Sequence, residues 1–588
     1  MDDARDARSR LLRALGWLCI GAFGLIFVLV TGLVYQQFTL RQQVDHLLRD
    51  VRSGQEILAR DGLQAADVRA VVVRLQRDTT AMRSTTGSML WRAGSHTPFL
   101  QGSVRSVTSM AVVGDDTTHR VLPVLAAMAL QLKSTGRTGP LDLSAITNRR
   151  AELEASLGRV QASRRRLVRD DLSDPSVRRA HREVVTRLGQ LESTLSTLAT
   201  VAQLGPGMTG QQGERRYLVV LQTPAESRAT GGLVGGFLEL RVSRGTINVV
   251  RLGTNHDLQP GLRKVSVAGG FEALWGPVGA QQQWYASNLS LDFPSAATVW
   301  AGLYRQQYGV ALDGVLGVTP EAVAQLMRIT GPLRLPGGET LKSGDAAGAL
   351  EVGLYQRFPT SADEGPRNAY QVTVLRSLIQ AVLRPRPLGS VYVDVFRGVA
   401  HDGSMRIAST HPDEQAKLQP TAIAGALPRD GRQFVAWSTN NAAGTKLDVY
   451  LQRTLRYRRG RPSGGHQTVE ATAALRNDAP LRGLPPYVTI RADLPPAQRA
   501  HARPGSEKVV VATYLTPGAR VLSVTVDGNV VRYGGGTEWG HPVVTVPVIL
   551  QPGGGTATVV VTAEQATATG VVSVLQQPVA HPDDLSLP

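Results

Sequence analysis

Hydrophobic residues form one uninterrupted run near the N terminus and then recur with two different periods along the chain. The stretch from Ala14 to Tyr35 contains no Asp, Glu, Lys, Arg or His. A helix of this length spans the roughly 30 Å of hydrocarbon in a bilayer. The pattern therefore predicts one transmembrane helix over residues 14–35. A cleaved signal peptide is the alternative, but the run exceeds a usual signal region and no clear small-x-small cleavage site closes it.

Basic residues before this run predict its orientation. Arg5, Arg8, Arg10 and Arg13 precede it, and the cytoplasmic flank of a membrane helix carries such an excess of positive charge. We therefore expect a single-pass protein of the cell membrane, with a cytoplasmic leader at residues 1–13. The bulk of the chain would then be extracytoplasmic, close to membrane lipid.

Between residues 36 and 205, hydrophobic residues recur at steps of three and four, which predicts helices. The clearest run alternates these two steps, as in a packed helical hairpin or a coiled coil. Its members are Val177, Ala180, Val184, Leu188, Leu191, Leu195 and Leu198. We expect a helical stalk or bundle over this region.

The hydrophobic period changes after residue 206. Strand-like runs alternate with helical runs over residues 206–460, which predicts a central α/β domain around a mixed sheet. Residues 461–578 contain β-rich segments separated by turns, which are typical of a β-sandwich. The proline-containing residues 579–588 predict a flexible tail. The expected fold is thus a multidomain α+β chain.

Composition fits an exported globular chain and narrows the choice of partner. Hydrophobic residues make up 42% of 588 residues, and the single Cys lies in the predicted span, where it cannot form an intramolecular disulfide.

The formal net charge of the chain is +17. Outside a membrane the abundant polyanions are lipid headgroups, lipid-linked pyrophosphates and wall polymers. An arginine bias without any bound anion explains the charge equally well. We expect no nucleic acid partner, because the anchor places this charge outside the cell.

The densest local signal is the segment 224–236. Four glycines follow a predicted strand, with Arg228 beside them. Glycines allow a ligand to approach the backbone closely, and a planar guanidinium binds anions in a bidentate manner. The alternative is a tight turn in which Glu226 simply pairs with Arg228. The common GxxxxGK[ST], HExxH, GxSxG and CxxC signatures do not occur in the sequence, which argues against hydrolases and NTPases of those kinds.

Two arginines and two aspartates provide further candidates. Arg357 and Arg367 lie near the start of a predicted helix, and a helix N terminus with two guanidinium groups suits an oxyanion or pyrophosphate. Asp292 directly precedes another predicted helix, so it either caps that helix or binds a hard cation such as Mg²⁺. Asp257 is a similar candidate.

Five segments together resemble the family described as domain of unknown function 4012, membrane-anchored proteins common in actinobacteria and other Gram-positive bacteria. The segments are GERRYLVVLQTPAESRATGGLVGGFLEL, NLSLDFPSAATVW, DGVLGVTPEAVAQLMRITGPL, NNAAGTKLDVYLQRTLRY and NDAPLRGLPPYV. The resemblance spans roughly residues 40–527 and implies no activity.

A more distant resemblance implies a function. The order of signals is similar to that in LytR-CpsA-Psr proteins, which transfer lipid-pyrophosphate-linked glycopolymers onto the cell wall. The resemblance implies that the central domain shares their fold, with a pyrophosphate held by Arg228, Arg357, Arg367 and Gln371. It also implies that Asp257 or Asp292 holds a divalent cation such as Mg²⁺.

The chain departs from that family where charge matters for catalysis. A carboxylate is lost from the pattern after Arg228, and Tyr370 stands where a second arginine is expected. Phosphoryl transfer depends on charges placed against the developing oxyanions. The sequence therefore leaves two functions open. One is binding, or catalytic transfer, of a lipid-linked polyprenyl-pyrophosphate glycan or wall-linked anionic glycopolymer. The other is a non-catalytic scaffold that recruits envelope proteins.

Overall fold

The computed structural model describes residues 65–88, 91, 101–134, 143–168, 175–258, 262–384, 390–567 and 571–588. The predicted leader and the predicted transmembrane helix lie outside these residues. Within the described ranges, no helix is long and apolar enough to cross a bilayer. The chain divides into two compact units. The first holds the described residues up to Gly213 with Arg244–Thr246 and part of Arg384–Asp394, and the second holds the rest.

The first unit is built from helices that bury a common core. Their bounds are α1 Ala65–Thr86, α2 Gln101–Arg120, α3 Leu122–Ser134, α4 Ser144–Thr147, α5 Arg150–Val168 and α6 Pro175–Met208. The predicted repeat of three and four lies on α6. Four of its members are buried in the core, namely Val184, Leu188, Leu191 and Leu195.

Helices α5 and α6 pack against each other in opposite directions. His181 Nε2 lies 2.8 Å from the carbonyl oxygen of Leu167, near the end of α5 and the start of α6. Further along the helix pair, Arg164 Nη1 of α5 pairs with Glu192 Oε2 of α6 at 3.0 Å. These contacts support the packed helical hairpin among the two arrangements that the repeat allowed.

The second unit contains a five-stranded sheet with the strand order β3-β2-β1-β4-β7. Strand β1 is antiparallel to β2 and parallel to β4, and β7 is antiparallel to β4. The short strands β5 and β6 form a separate pair. The bounds are β1 Arg215–Thr223, β2 Leu233–Ser243, β3 Thr246–Thr254, β4 Gly314–Val318, β5 Leu333–Arg334, β6 Thr340–Leu341 and β7 Met405–Ser409.

Helices cover both faces of this sheet. Gly236 and Phe237 are neighbours on β2, so they face opposite sides. The Phe237 ring packs edge-on against Tyr304, with ring centroids 6.0 Å apart, whereas a Cβ at Gly236 would lie 2.6 Å from Val372 Cγ2. The helices of residues 271–418 are α7 Phe271–Trp275, α8 Phe293–Tyr308, α9 Pro320–Thr330, α10 Ser343–Leu350, α11 Val352–Arg357, α12 Glu364–Val382, α13 Ser390–His401 and α14 Pro412–Leu418. Tyr304 lies on α8 and Val372 lies on α12, so these two helices cover opposite faces of the sheet.

Two further sheets follow, with the orders β14-β15-β11-β8-β17 and β13-β12-β16-β10-β9-β18. Their inward-facing side chains share one hydrophobic core, which includes Val511 of the first sheet and Val561 of the second. The bounds are β8 Phe434–Asn441, β9 Leu451–Arg459, β10 His466–Asn477, α15 Pro486–Thr489, α16 Pro496–Arg499, β11 Glu507–Tyr514, β12 Arg520–Val526, β13 Asn529–Val530, β14 Gly534–Glu538, β15 His541–Leu550, β16 Gly555–Ala566, β17 Ser573–Val574 and β18 Asp584–Ser586.

These two sheets begin before residue 461, the expected start of the sandwich. Strand β8 pairs with β11, and β9 pairs with β10, although both β8 and β9 precede that residue. Strand β18, within the segment expected to be a flexible tail, pairs in parallel with β9. The strand alternation of β9 resembles that of β10, so periodicity carries no signal for a boundary between them.

Gly232 permits the tight return from β1 to β2, and its replacement tests this turn. Its φ is +128°, and an added Cβ would lie 1.9 Å from the carbonyl oxygen of Thr223. We predict that Gly232→Ala lowers the free energy of unfolding by more than about 3 kcal/mol, because alanine has neither the conformation nor the space. Urea unfolding of the full chain in detergent, followed by circular dichroism, measures this effect.

Gly348→Ala is the matched control. Gly348 lies inside α10, and an added Cβ would meet no atom within 4 Å. This substitution should stabilise the chain by roughly 0.5–1 kcal/mol, because alanine favours a helix over glycine. Equal unfolding midpoints for the two variants would contradict the assigned geometry.

Candidate functional site

The glycine-rich segment forms a buried turn at the end of β1. Pro224–Glu226 is a short 3₁₀ helix, and the turn 227–232 leads back into β2. Glu226 and Arg228 are only 6% and 7% exposed. Buried charges require partners, so the contacts of these two side chains define the site.

The Glu226 carboxylate bridges two cations. Its Oε1 accepts a hydrogen bond from Arg228 Nη2 at 3.0 Å, and its Oε2 accepts one from Lys446 Nζ. Lys446 is itself only 9% exposed. Burial acts to raise the pKa of Glu226, but Lys446 and Arg228 outweigh burial and hold that pKa below its usual value. The sequence allowed either an anion site or a tight turn in which Glu226 pairs with Arg228. The structure shows the tight turn with this pair.

Every nitrogen of the Arg228 guanidinium donates to an acceptor of the chain. Nε donates to the carbonyl oxygen of Tyr285 at 3.2 Å, and Nη1 donates to those of Ser227 and Asn441 at 2.9 and 3.1 Å. Together with the bond to Glu226, these contacts tie the turn to residues 285 and 441. Arg228 therefore has a structural role, because its hydrogen bonds link the turn to both of these segments.

Amide side chains from distant segments complete the bonding of the turn. Asn440 Oδ1 accepts from the Ala229 amide at 2.9 Å. Gln577 Nε2 donates to Ser227 Oγ at 2.9 Å and to the carbonyl oxygen of Arg228 at 3.0 Å. The turn is therefore fixed by residues more than two hundred positions away in sequence.

Two acids lie beneath the same turn. Asp448 is 6% exposed and Glu507 is fully buried. Asp448 Oδ2 accepts from the Ser227 amide at 3.1 Å and from Asn441 Nδ2 at 2.5 Å. Burial raises the pKa of Asp448 to about 6 and raises that of Glu507 well above its usual value. We call Glu226, Arg228, Lys446, Asp448 and Glu507 the buried charge cluster.

Arg367 borders this cluster through an aromatic ring. Its guanidinium carbon lies 4.2 Å from the centroid of the Tyr487 ring, and Lys446 Nζ lies 5.6 Å from the same centroid. Arg367 is only 3% exposed, and its Nη2 donates to the carbonyl oxygens of Phe358 and Thr360 at 2.8 and 2.7 Å. Arg228 and Arg367 are thus connected through Glu226, Lys446 and Tyr487.

Arg357 belongs to a different group at the surface. Its side chain is 50% exposed, and its Nη1 pairs with Glu339 Oε2 at 2.8 Å. Tyr370 donates to the other oxygen of Glu339 at 2.7 Å, and its ring centroid lies 4.6 Å from the Arg357 guanidinium carbon. Arg357 and Tyr370 both lower the pKa of Glu339. The structure therefore does not direct Arg228, Arg357 and Arg367 toward one shared anion position.

Gln371 packs against the sheet. It is 2% exposed, and a Cβ added at Gly235 of β2 would lie 2.6 Å from Gln371 Oε1. Its side chain thus fills the space that the missing Gly235 side chain leaves. Gln371 and Arg367 lie on the same helix, α12.

Both candidate metal ligands cap helices. Asp257 Oδ2 accepts from the Thr254 amide and hydroxyl at 2.7 and 3.0 Å, which closes a capping box on the 3₁₀ helix Asn255–Asp257. The fully buried Asp292 caps α8 by accepting from the Ser295 amide at 3.2 Å, and also accepts from the Leu427 amide at 2.9 Å. In the part of the chain that the structure describes, no group of three or more His, Cys, Asp or Glu is arranged to hold a metal ion.

A family comparison covers the part of the chain that contains this turn. The segment 212–355 matches the model described as protein of unknown function (DUF4012). We refer to residues 212–355, which match this family's model, as the DUF4012 segment. The predicted resemblance to this family is confirmed there, while the resemblance to LytR-CpsA-Psr proteins stays a prediction. No curated protein matches the chain.

The DUF4012 segment supplies only part of the buried charge cluster. It contains Glu226 and Arg228, whereas Lys446, Asp448 and Glu507 lie beyond it. The sequence motifs did not predict these last three residues as candidates. A signal existed for Lys446 and Asp448, which lie in the quoted NNAAGTKLDVY segment. Glu507 had none, because a single acid before a strand has no distinctive pattern.

Lys446→Met tests whether the bridged carboxylate stabilises the second unit. The substitution keeps a long side chain but leaves buried Glu226 with Arg228 as its remaining cation. We predict that the free energy of unfolding falls by roughly 3–5 kcal/mol, because breaking a buried pair leaves charge uncompensated. Urea unfolding of the full chain in detergent, monitored by tryptophan fluorescence, measures the change.

Arg520→Met is the control for removing a cation. Arg520 is 70% exposed and pairs with Glu564 at 3.0 Å. Its loss should change the free energy of unfolding by about 1 kcal/mol or less, because exposed ion pairs contribute little. If Lys446→Met were as mild as Arg520→Met, the stabilising role of the bridge would be rejected.

Proposed function

We propose that this chain is a membrane-anchored, extracytoplasmic protein of the bacterial envelope that acts as a non-catalytic scaffold. The anchor is supported by the uncharged run from Ala14 to Tyr35 and the arginines before it. The envelope assignment is supported by the match of residues 212–355 to the DUF4012 model. The resemblance to that family implies a membrane-anchored protein.

One observation carries the scaffold proposal. The arginines expected to bind pyrophosphate are each occupied by an acceptor of the chain. Arg228 donates to Glu226, Arg357 donates to Glu339, and Arg367 donates to two backbone carbonyls. Phosphoryl transfer needs donors preorganised toward the oxygens on which charge develops. Here the donors are preorganised toward the protein, which supports a structural role over transfer.

A second candidate function is binding of an anionic glycopolymer, carried by a lipid or by the wall. The half-exposed Arg357 favours it, because its guanidinium lies beside the rings of Phe358 and Tyr370, at 5.5 and 4.6 Å from their centroids. An exposed cation next to aromatic faces suits a phosphorylated sugar. Such a ligand would have to displace Glu339 from Arg357, and that competition weakens this candidate.

Retention of lipid and complementation by Arg357→Ala distinguish the two functions. If the chain is a scaffold, purified full chain in detergent should retain no polyprenyl pyrophosphate by mass spectrometry. Arg357→Ala should then complement a strain lacking the chain as well as the wild type does, because its guanidinium contacts no ligand. Arg334→Ala, another exposed arginine, is the matched control.

The glycopolymer function predicts the opposite pattern. The wild type and Arg334→Ala would retain the lipid, whereas Arg357→Ala would lose both the lipid and complementation. That result would reject the scaffold. Deletion of residues 461–588 is unsuitable as a test, because β8 and β9 would lose the strands with which they pair.

A further inference from the structure

Two of the three acids in the buried charge cluster, Asp448 and Glu507, lie close together. Asp448 begins the 3₁₀ helix Asp448–Tyr450, and Glu507 is the first residue of β11. Both carboxyl groups lie against the same amide nitrogen, because Asn441 Nδ2 is 2.5 Å from Asp448 Oδ2 and 3.5 Å from Glu507 Oε1. Two carboxylates this close and this deeply buried repel each other strongly in a medium of low polarity.

Each acid has one oxygen that the chain leaves without a donor. Asp448 Oδ2 is bonded to the Ser227 amide, and Glu507 Oε1 lies 3.5 Å from Asn441 Nδ2. Asp448 Oδ1 and Glu507 Oε2 are buried and have no hydrogen-bond partner among the described residues. A buried oxygen without a donor is costly. One proton placed between the two acids would satisfy both oxygens.

The charges of the cluster favour the same state. Arg228 and Lys446 are positive, and Glu226 is negative. The cluster is neutral when Asp448 and Glu507 together carry one negative charge, that is, when they hold one proton between them. Losing that proton leaves an excess negative charge in the interior, which is unfavourable.

We propose that Asp448 and Glu507 share a single buried proton, and that its release as the pH rises loosens the turn that Arg228 and Glu226 form. The link to the turn is direct, because the same Asp448 carboxyl group accepts from the Ser227 amide. This inference is independent of the proposed scaffold function.

The direction of the pH dependence follows from the groups that face the pair. Burial raises the pKa of Asp448 to about 6, Arg228 lowers it and Glu226 raises it, while burial and Asp448 raise the pKa of Glu507. A folded-state pKa above the unfolded value gives stability that is present at acidic pH. That stability is lost as the pH rises from the unfolded-state value to the raised folded-state pKa, and the loss is complete once the pair has released its proton. Beside Glu507, Arg491 lies near Ser506 and is paired with Asp493.

Comparison of the wild type with Glu507→Gln tests the shared proton. Glutamine keeps the shape and donates a hydrogen bond to Asp448 without titrating. The unfolding equilibrium constant of the full chain in detergent is measured from urea curves between pH 5 and pH 8. Between the unfolded-state pKa values of about 4 and the pair's raised pKa, the ratio of the wild-type constant to the variant constant should rise by up to tenfold per pH unit, and it should level off above the pair's pKa, as one shared proton requires.

Glu564→Gln is the matched control, because Glu564 is partly exposed and pairs with the exposed Arg520. It should keep the wild-type pH profile. A wild-type profile for Glu507→Gln would overturn the proposal. If Glu507→Gln does not fold, infrared spectra of the wild type and Asp448→Asn decide the matter. The wild type must show a protonated carboxyl band at pH 5 that weakens by pH 8 and differs in Asp448→Asn, and a spectrum without such a band would reject the shared proton.

Discussion

The second unit depends on the neutralisation of one buried carboxylate. Glu226 lies at the point where β1 ends, and it is bridged by Arg228 and by Lys446 from a segment 220 residues further along the chain. Removing either cation would leave buried charge uncompensated, which is strongly destabilising. The requirement brings the DUF4012 segment together with the segment before β9, and so joins the five-stranded sheet to the two sheets that follow.

The same small volume holds acids in two different states, and the number of neighbouring cations decides between them. Glu226 bonds to two cations and has a lowered pKa. Asp448 and Glu507 face each other instead, and burial raises the pKa of both. Within one cluster, the Glu226 carboxyl group thus stays ionised, whereas Asp448 and Glu507 hold a proton. The difference arises from placement and not from residue type.

Local patterns in the sequence predicted most elements and few contacts. The repeat on α6 and the alternation of strands and helices after residue 206 agree with the structure, because periodicity reports which face of an element is buried. The capping role of Asp292 was one of two options read from its position before a helix. By contrast, the pairing of Glu226 with Lys446 depends on long-range topology, which local patterns do not report. An arginine also donates in the same way to a phosphate or to a carbonyl oxygen. The role of Arg228 could therefore not be decided from its motif.

The bonds made by Gln577 and by β18 constrain the order in which the chain can mature. Gln577 donates to the Ser227 hydroxyl and to the carbonyl oxygen of Arg228, and β18 covers the edge of β9. Both emerge from the ribosome after nearly all of the residues that they hold. Until then the turn lacks the Gln577 donor and β9 presents an uncovered edge, which is a hazard for pairing with other chains. A nascent chain of this protein would thus benefit from a holding factor until residues 577–586 have emerged and formed these bonds.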